Sequence, residues 1–179
     1  RVRGVMFTGS TEVATLLQRN IASRLDAQGR PIPLIAETGG MNAMIVDSSA
    51  LTEQVVVDVL ASAFDSAGQR CSALRVLCLQ DEIADHTLKM LRGAMAECRM
   101  GNPGRLTTDI GPVIDSEAKA NIERHIQTMR SKGRPVFQAV RENSEDAREW
   151  QSGTFVAPTL IELDDFAELQ KEVFGPVLH

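Results

Sequence analysis

Two side chains, the thiol of Cys71 and the carboxylate of Glu37, are the groups of this sequence best suited to chemistry. Cys71 follows Gly68-Gln69-Arg70, where a helical pattern ends and a strand pattern begins. A thiol at such a junction can face a cleft and act as a nucleophile, although a lone cysteine is more often a small buried hydrophobic residue. Glu37 ends an apolar run and precedes Thr38-Gly39-Gly40. A partly buried carboxylate there can act as a general base; an ordinary turn glutamate is the alternative.

The elements around the thiol follow a strand-helix-strand pattern. Residues 43–46 form a short apolar run that predicts a buried strand, and any residue of Asp47-Ser48-Ser49 can cap the helix that follows. We expect that helix to run to about Ala67, and Gly68 to supply the tight backbone conformation that ends it. Residues 74–79 predict a second strand, and the whole pattern predicts an α/β fold with a parallel sheet.

The ends of these elements are where a site is expected, because ligands bind at the ends of neighbouring strands in open parallel sheets. Glu37 and Cys71 lie at the ends of neighbouring elements, so we expect their side chains to face one cavity. The other cysteines are predicted to be core residues. Cys78 lies inside a strand pattern, and Cys98 lies on the inner stripe of the next helix.

The first part of the chain carries a possible anion site. Residues 5–7 predict a short buried strand, and Ser10 is a suitable N-cap for a helix from about Thr11 to Ala27. A helix N-terminus after a strand and a Gly-Ser turn offers unpaired N–H groups and the positive end of the helix dipole. The full glycine pattern of dinucleotide sites is absent, so a plain β-to-α turn is the alternative.

The downstream part is predicted to continue as helices and short strands, at residues 81–99, 116–131, 135–140, 154–161 and 164–169. His125 is predicted to lie on a helix surface, and Pro158 indicates an edge strand or a last pairing position. Residues 141–151 form a charged, solvated loop that Trp150 is expected to anchor. Phe174, next to a Gly-Pro pair, is either a rigid aromatic contact for a planar ligand or a core residue at a turn.

The composition indicates an ordinary soluble globular chain of 179 residues, with 43% hydrophobic residues, 24% charged residues and a net charge of −5. This acidic balance argues against nucleic acid as a partner, and no apolar run is long enough to span a membrane. Three cysteines and three histidines without metal-ligand spacing predict neither disulfides nor a metal site. We expect a cytoplasmic location, and a chain that is a piece of a longer protein because it opens inside an apolar run without Met.

Taken together, these pieces resemble the aldehyde dehydrogenase superfamily. The resemblance spans essentially the whole chain, and five segments carry it in the family's order: Phe7-Thr8-Gly9-Ser10-Thr11-Glu12, Glu37-Thr38-Gly39-Gly40-Met41-Asn42, Gly68-Gln69-Arg70-Cys71, Gly101-Asn102-Pro103 and Glu172-Val173-Phe174-Gly175-Pro176. The variants at residues 68–75 and 106–115 are more particular. They are similar to the 1-pyrroline-5-carboxylate (L-glutamate γ-semialdehyde) dehydrogenase domains of bifunctional proline-utilisation proteins.

The resemblance implies a parallel-sheet catalytic domain at residues 37–179, preceded at residues 1–36 by the tail of a Rossmann-like cofactor domain. It implies that the parent protein oxidises a small aldehyde, binds NAD and forms a homo-oligomer, with FAD only on a proline dehydrogenase domain if the parent is bifunctional. The choice between NAD and NADP stays open. The implied roles are nucleophile for Cys71, general base for Glu37, contacts of NAD for Ser10, Thr38, Gly39, Glu172 and Phe174, and a contact of the substrate carboxylate for Ser72.

The same resemblance implies that other parts of the site lie outside this sequence. The family's oxyanion-hole Asn and adenosine-ribose Lys would precede Arg1, and the substrate-carboxylate loop and oligomerisation tail would follow His179. The isolated chain is therefore expected to turn over little or no aldehyde. Three alternatives remain: an aldehyde dehydrogenase for another small aldehyde, a thiol acyltransferase with Cys71 as nucleophile, and a non-catalytic assembly domain. The Glu172/Phe174 pair favours the dehydrogenase over the acyltransferase.

Overall fold

The chain divides into two compact units, Arg1–Gly40 and Met41–His179, in a computed structural model that describes residues 2–139, 150 and 152–179. The division follows the paired glycines Gly39-Gly40, close to the expected boundary between residues 36 and 37. The assignment of the two segments to a cofactor domain and a catalytic domain stays a prediction.

The first unit is a strand, a helix and a parallel strand. Strand β1 is Val5–Thr8, helix α1 is Thr11–Ala22 and strand β2 is Leu34–Glu37. Strands β1 and β2 pair in parallel, with Val5 opposite Leu34 and Thr8 opposite Glu37. A two-stranded sheet has too little chain to cover both faces, and Met6 is 84% exposed, so the prediction of a buried strand at residues 5–7 is wrong for that face.

The start of α1 was predicted correctly and its end was not. Ser10 caps the helix, since its hydroxyl accepts the N–H of Val13 at 3.2 Å. The helix ends at Ala22 rather than about Ala27. Beyond it, the Asp26 carboxylate accepts the N–H groups of Gln28 and Arg30 at 2.8 and 2.9 Å. This local turn competes with helix continuation.

The second unit begins with the predicted strand-helix-strand. Strand β3 is Ala43–Val46, helix α2 is Thr52–Phe64, and strand β4 is Val76–Leu79. Strands β3 and β4 pair in parallel. The predicted cap in Asp47-Ser48-Ser49 is wrong: Leu51 occupies the N-cap without a side-chain hydrogen bond. Asp47 accepts the N–H of Ser49 at 2.9 Å instead, which closes a turn before the helix.

The chain leaves α2 through a strained turn. After Phe64, Asp65–Gly68 forms a 3₁₀ turn in which Ser66, Ala67 and Gly68 have φ values of 57°, 53° and 64°. Only glycine adopts this left-handed region without cost. Gly68 therefore has the tight conformation that its type predicted, while the helix ends at Phe64, short of Ala67.

Two more helices and a mixed sheet complete the second unit. Helix α3 is Asp81–Glu97, and helix α4 is Ser116–Ser131, as its pattern predicted. Strands β5 (Val136–Gln138), β6 (Thr159–Ile161) and β7 (Val177–Leu178) form a sheet in the order β5-β6-β7. The β5–β6 pair is antiparallel and the β6–β7 pair is parallel. A single 3₁₀ turn, Phe166–Glu168, lies where one helical turn was predicted.

Of the two interpretations of Pro158, the edge strand is wrong, and the last pairing position agrees with the structure. Strand β6 is the middle strand of its sheet, not an edge. Pro158 immediately precedes it, and its carbonyl accepts the N–H of Ala139 at 3.0 Å. Proline is tolerated because pairing at this position needs its acceptor and not a donor.

The core of the second unit lies between its helices and the β5-β6-β7 sheet, and includes Val59, Leu91, Met95, Ile122, Ile161 and Leu178. Trp150 donates its indole N–H to the carbonyl of Met100 at 3.1 Å, as expected of a loop anchor. The rest of the charged loop, residues 141–149 and 151, lies outside the described residues, as does residue 140 at the end of the predicted strand. Cys98 is half-buried against the core. The core prediction for Cys78 is wrong: it is exposed, opposite Ile45 on an outward face.

Candidate active site

Cys71 lies exposed in a turn of residues 70–73, hereafter the thiol turn. The turn is closed by the N–H of Ala73, which donates to the carbonyl of Arg70 at 3.0 Å. Asn42 holds it from outside, donating its side-chain amide to the carbonyl of Cys71 at 2.7 Å and to that of Ala73 at 2.9 Å. The turn is therefore fixed by specific hydrogen bonds although the thiol itself is accessible.

Asn42 is a residue whose role sequence analysis missed. Besides its two side-chain bonds, its own carbonyl accepts the N–H groups of Arg75 and Val76 at 3.0 and 3.1 Å. Asn42 immediately precedes β3, so its backbone pairs with the start of β4 while its side chain reaches the thiol turn. An amide two residues after a Gly-Gly pair and directly before an apolar strand is the signal that could have indicated this role.

The residues before Cys71 tie the turn to other elements. Arg70 donates to the carbonyl of Ala61 at 2.8 Å, near the C-terminal end of α2, where a cation is favoured by the helix dipole. Gln69 donates its amide to the carbonyl of Pro112 at 3.3 Å and accepts the N–H of Ile114 at 2.8 Å. Both side chains hold the thiol turn in one place.

Arg75 is the buried charge of this region, with 1% of its surface exposed. Its Nε and Nη2 lie 2.9 and 2.8 Å from Oε1 of Glu172. Its Nη1 donates to the carbonyl of Gly175 at 3.1 Å, and its Nη2 to that of Arg70 at 3.0 Å. Burial lowers the pKa of Arg75, and the hydrogen bond and charge of Glu172 oppose that shift. One guanidinium thus joins the thiol turn to the segment of residues 172–175.

That segment carries two of the predicted site residues. The Phe174 ring lies below the guanidinium of Arg75, with its centroid 5.3 Å from Cζ, and is 45% exposed. It is therefore not the core phenylalanine of the alternative interpretation. A Cβ on Gly68 would come within 2.1 Å of the carbonyl oxygen of Gly175, so the two backbones touch. The second unit therefore brings together the thiol turn, Glu172 and Phe174.

The first unit brings together the other predicted contacts of a nucleotide. Strands β1 and β2 run parallel, so their carboxyl ends lie at one edge. There Gly9 donates its N–H to the carbonyl of Glu37 at 3.1 Å. Ser10 follows β1, while Thr38 and Gly39 follow β2. These residues and the N-terminus of α1 lie at one edge of the first unit, and their role as contacts of a nucleotide stays a prediction.

Glu37 is exposed rather than partly buried, so the expected partial burial is wrong for this structure. Glu37 belongs to the first unit, and Cys71 and Ser72 to the second. Both Cys71 and Ser72 are exposed in the thiol turn. The convergence of Glu37 and Cys71 on one cavity stays a prediction.

His125 is half-buried rather than on a helix surface, which corrects its prediction. Its Nε2 lies 2.8 Å from Nε2 of His179, and Nδ1 of His179 lies 3.2 Å from the carbonyl of Arg75. Since a carbonyl only accepts, His179 is protonated at Nδ1, and its Nε2 accepts from His125. Burial, with a contribution from His125, lowers the pKa of His179 to about 4. Burial, with a contribution from Lys132, also lowers the pKa of His125.

Within residues 2–139, 150 and 152–179, no group of three or more His, Cys, Asp or Glu side chains is arranged to hold a metal ion. No helix in the part of the chain that the structure describes is long and apolar enough to cross a bilayer.

Comparison with known proteins gives one family. The chain is 93% identical to the bifunctional protein PutA of Salmonella typhimurium, over its whole length and 14% of that protein. It is 33% identical to the 1-pyrroline-5-carboxylate dehydrogenase of Anoxybacillus flavithermus, over 99% of this chain and 34% of that one. A crystal structure of Staphylococcus aureus betaine aldehyde dehydrogenase in complex with NAD⁺ superposes with a TM-score of 0.88 at 29% identity, covering 99% of this chain and 34% of that chain.

These relatives are much longer than the chain, which spans about a seventh of the length of the first. The model of the aldehyde dehydrogenase family matches residues 1–179, and the predicted fold, an α/β fragment of an aldehyde dehydrogenase, is confirmed. The chain belongs to the aldehyde dehydrogenase family.

Proposed function

We propose that the protein containing this chain is an NAD-dependent aldehyde dehydrogenase that oxidises L-glutamate γ-semialdehyde, the open form of 1-pyrroline-5-carboxylate, to glutamate in proline catabolism. Membership of the family supports the reaction class. The likeness to PutA and to a 1-pyrroline-5-carboxylate dehydrogenase supports the substrate. The observation that carries the proposal is the accessible thiol of Cys71, held in a fixed turn that Arg75 joins to Glu172 and Phe174.

Cys71 is the nucleophile of the proposed reaction. Its thiolate attacks the carbonyl carbon of the aldehyde and forms a thiohemiacetal. Negative charge then develops on the carbonyl oxygen, and the backbone N–H of Cys71 is one donor that can stabilise it. Because Arg75 donates to the carbonyl of Arg70 and Asn42 donates to the carbonyl of Cys71, the N–H between these two carbonyls is oriented before the reaction begins.

The described residues have the chemistry to hold NAD. The carboxylate of Glu172 suits ribose hydroxyls, and the exposed face of Phe174 suits a planar ring. Ser10, Thr38 and Gly39 lie at the strand edge, beside a helix N-terminus that suits a pyrophosphate. When bound, NAD accepts a hydride and so supplies the oxidation.

The remaining step is hydrolysis of the thioester on Cys71. Glu37 acts as the general base that takes a proton from the attacking water. The hydroxyl of Ser72, next to the nucleophile, contacts the carboxylate of the substrate. A cytoplasmic location, a homo-oligomeric parent and FAD on a separate proline dehydrogenase domain belong to the same proposal.

The test uses the full-length protein with NAD and L-glutamate γ-semialdehyde, and follows NADH formation. Cys71→Ala is expected to lower kcat by on the order of 10³-fold or more, because the covalent route is lost. Cys78→Ala is the matched control, since Cys78 is also an exposed thiol, and its kcat is expected to match that of the unaltered protein. Equal activity in the two variants would reject Cys71 as the nucleophile, and thioester transfer without NADH would indicate an acyltransferase.

A further inference from the structure

We propose that Arg75 is a positioning residue of this oxidation: it holds Glu172 and Phe174, the contacts for the nicotinamide nucleotide, at a fixed distance from the thiol turn. The inference rests on the function proposed above. Nothing in the reaction chemistry requires an arginine at this place, since Arg75 is buried and its donors are directed at protein groups.

Arg75 contacts two segments that are far apart in the sequence. The guanidinium bonds to the carbonyl of Arg70, directly before Cys71, and to the side chain of Glu172 and the carbonyl of Gly175. A guanidinium is planar and its donors are fixed relative to one another. The positions of these acceptors are therefore set by one rigid group, rather than by separate flexible contacts.

Close contacts of Gly68 and Gly175 prevent the segment of residues 172–175 from moving inward. Gly68 and Gly175 already touch, since a Cβ on Gly68 would lie 2.1 Å from the oxygen of Gly175. On the other side, a Cβ on Gly175 would lie 2.3 Å from Cδ1 of Ile122. The segment of residues 172–175 therefore cannot move closer to Gly68, two residues before the thiol turn, and Arg75 prevents it from moving away.

Stability alone is a weak reason for this ion pair. Taking Arg75 out of water carries a desolvation cost, which is why burial lowers its pKa. The attraction to a partner often does no more than offset such a cost, so a buried pair can be retained for its geometry. Arg134 and Glu168 form a second partly buried ion pair, with 3.0 Å between Nε and Oε2. Both residues are far from the thiol turn in the sequence. That pair provides a control.

The test measures KM for NAD and for the aldehyde in the full-length protein. Arg75→Lys keeps the charge but loses the planar fork, and is expected to raise KM for NAD by on the order of tenfold, with less than about a twofold change in KM for the aldehyde. Glu172→Gln is the second single variant. The double variant is expected to have a KM for NAD no higher than that of the more impaired single variant, because both changes disturb the same contact. Arg134→Lys is expected to leave both KM values unchanged.

Hydrogen exchange of the unaltered protein gives a measurement that needs no variant. Addition of NAD is expected to slow exchange in residues 172–175 and in the thiol turn together, since one guanidinium joins them. Three results would overturn the role of Arg75. The first is additive effects of Arg75→Lys and Glu172→Gln on KM for NAD. The others are a change in thermal stability with both KM values unchanged, and protection of only one of the two segments by NAD. An unaltered protein that does not bind NAD would overturn the proposed function, and this inference with it.

Discussion

Substitution of Gly68 by alanine tests how closely the turn after α2 must approach the segment that carries Glu172 and Phe174. Gly68 has φ of +64°, and its added Cβ would lie 2.1 Å from the oxygen and 2.6 Å from the carbon of the Gly175 carbonyl. Both contacts are with backbone, so no side chain can rotate away. The left-handed conformation costs an alanine roughly 1–2 kcal/mol, and the forced backbone shift adds about 1–3 kcal/mol.

Gly133→Ala is the matched control for this prediction. Gly133 also has positive φ, +78°, but nothing lies within 4 Å of its added Cβ. The control therefore carries the conformational cost without the clash, and both variants share the same change in the unfolded chain. The difference between them isolates the packing cost, about 1–3 kcal/mol.

The assay is native-state hydrogen exchange in the full-length protein, because a long multidomain chain does not unfold in two states. Gly68→Ala is expected to lower the free energy of opening near the thiol turn by clearly more than Gly133→Ala lowers it near β5. Its KM for NAD is also expected to rise, because the segment of residues 172–175 must move. Equal effects of the two variants, with an unchanged KM, would refute the close approach.

Two further predictions follow from the same region. Asn42→Ala leaves the carbonyls of Cys71 and Ala73 without their side-chain donor. We expect a loss of about 1–3 kcal/mol in local stability and a lower kcat. An unchanged kcat in stopped-flow kinetics would contradict this prediction. In the folded protein the pKa of His179 is lowered from 6.5 to about 4, so the unfolded chain takes up the proton at higher pH than the folded chain. The free energy of unfolding therefore falls by up to about 3 kcal/mol as the pH falls from 6.5 toward 4. Native-state hydrogen exchange around His179, corrected for the intrinsic exchange rate at each pH, checks it, and a pH dependence identical in His179→Gln would contradict it.

Local rules explain what the sequence predicted well. Ser10 at a helix start, the apolar period of α4 and the alternation of strand and helix around β3 and β4 depend on neighbours a few residues apart. The same rules also explain the wrong cap. Asp47 satisfies a backbone N–H at its own turn, so its local preference was met without a helix.

Long-range contacts explain what the sequence could not predict. Arg75 looks like a polar interruption of an apolar run, and its partner Glu172 follows almost a hundred residues later. No periodicity connects two such positions. Likewise, the apolar run around Cys78 predicts a strand but does not tell which face of that strand is covered. Only the packing of the folded sheet shows that the thiol is exposed.

The covalent intermediate on Cys71 is the most direct test of the proposed chemistry. In full-length Glu37→Gln, with NAD and L-glutamate γ-semialdehyde, the general base is absent and the thioester should accumulate. Mass spectrometry of digested protein is expected to find a glutamyl group on the peptide that contains Cys71, together with one burst of NADH. A burst without modification of Cys71, or a glutamyl group on Cys78 instead, would contradict the account.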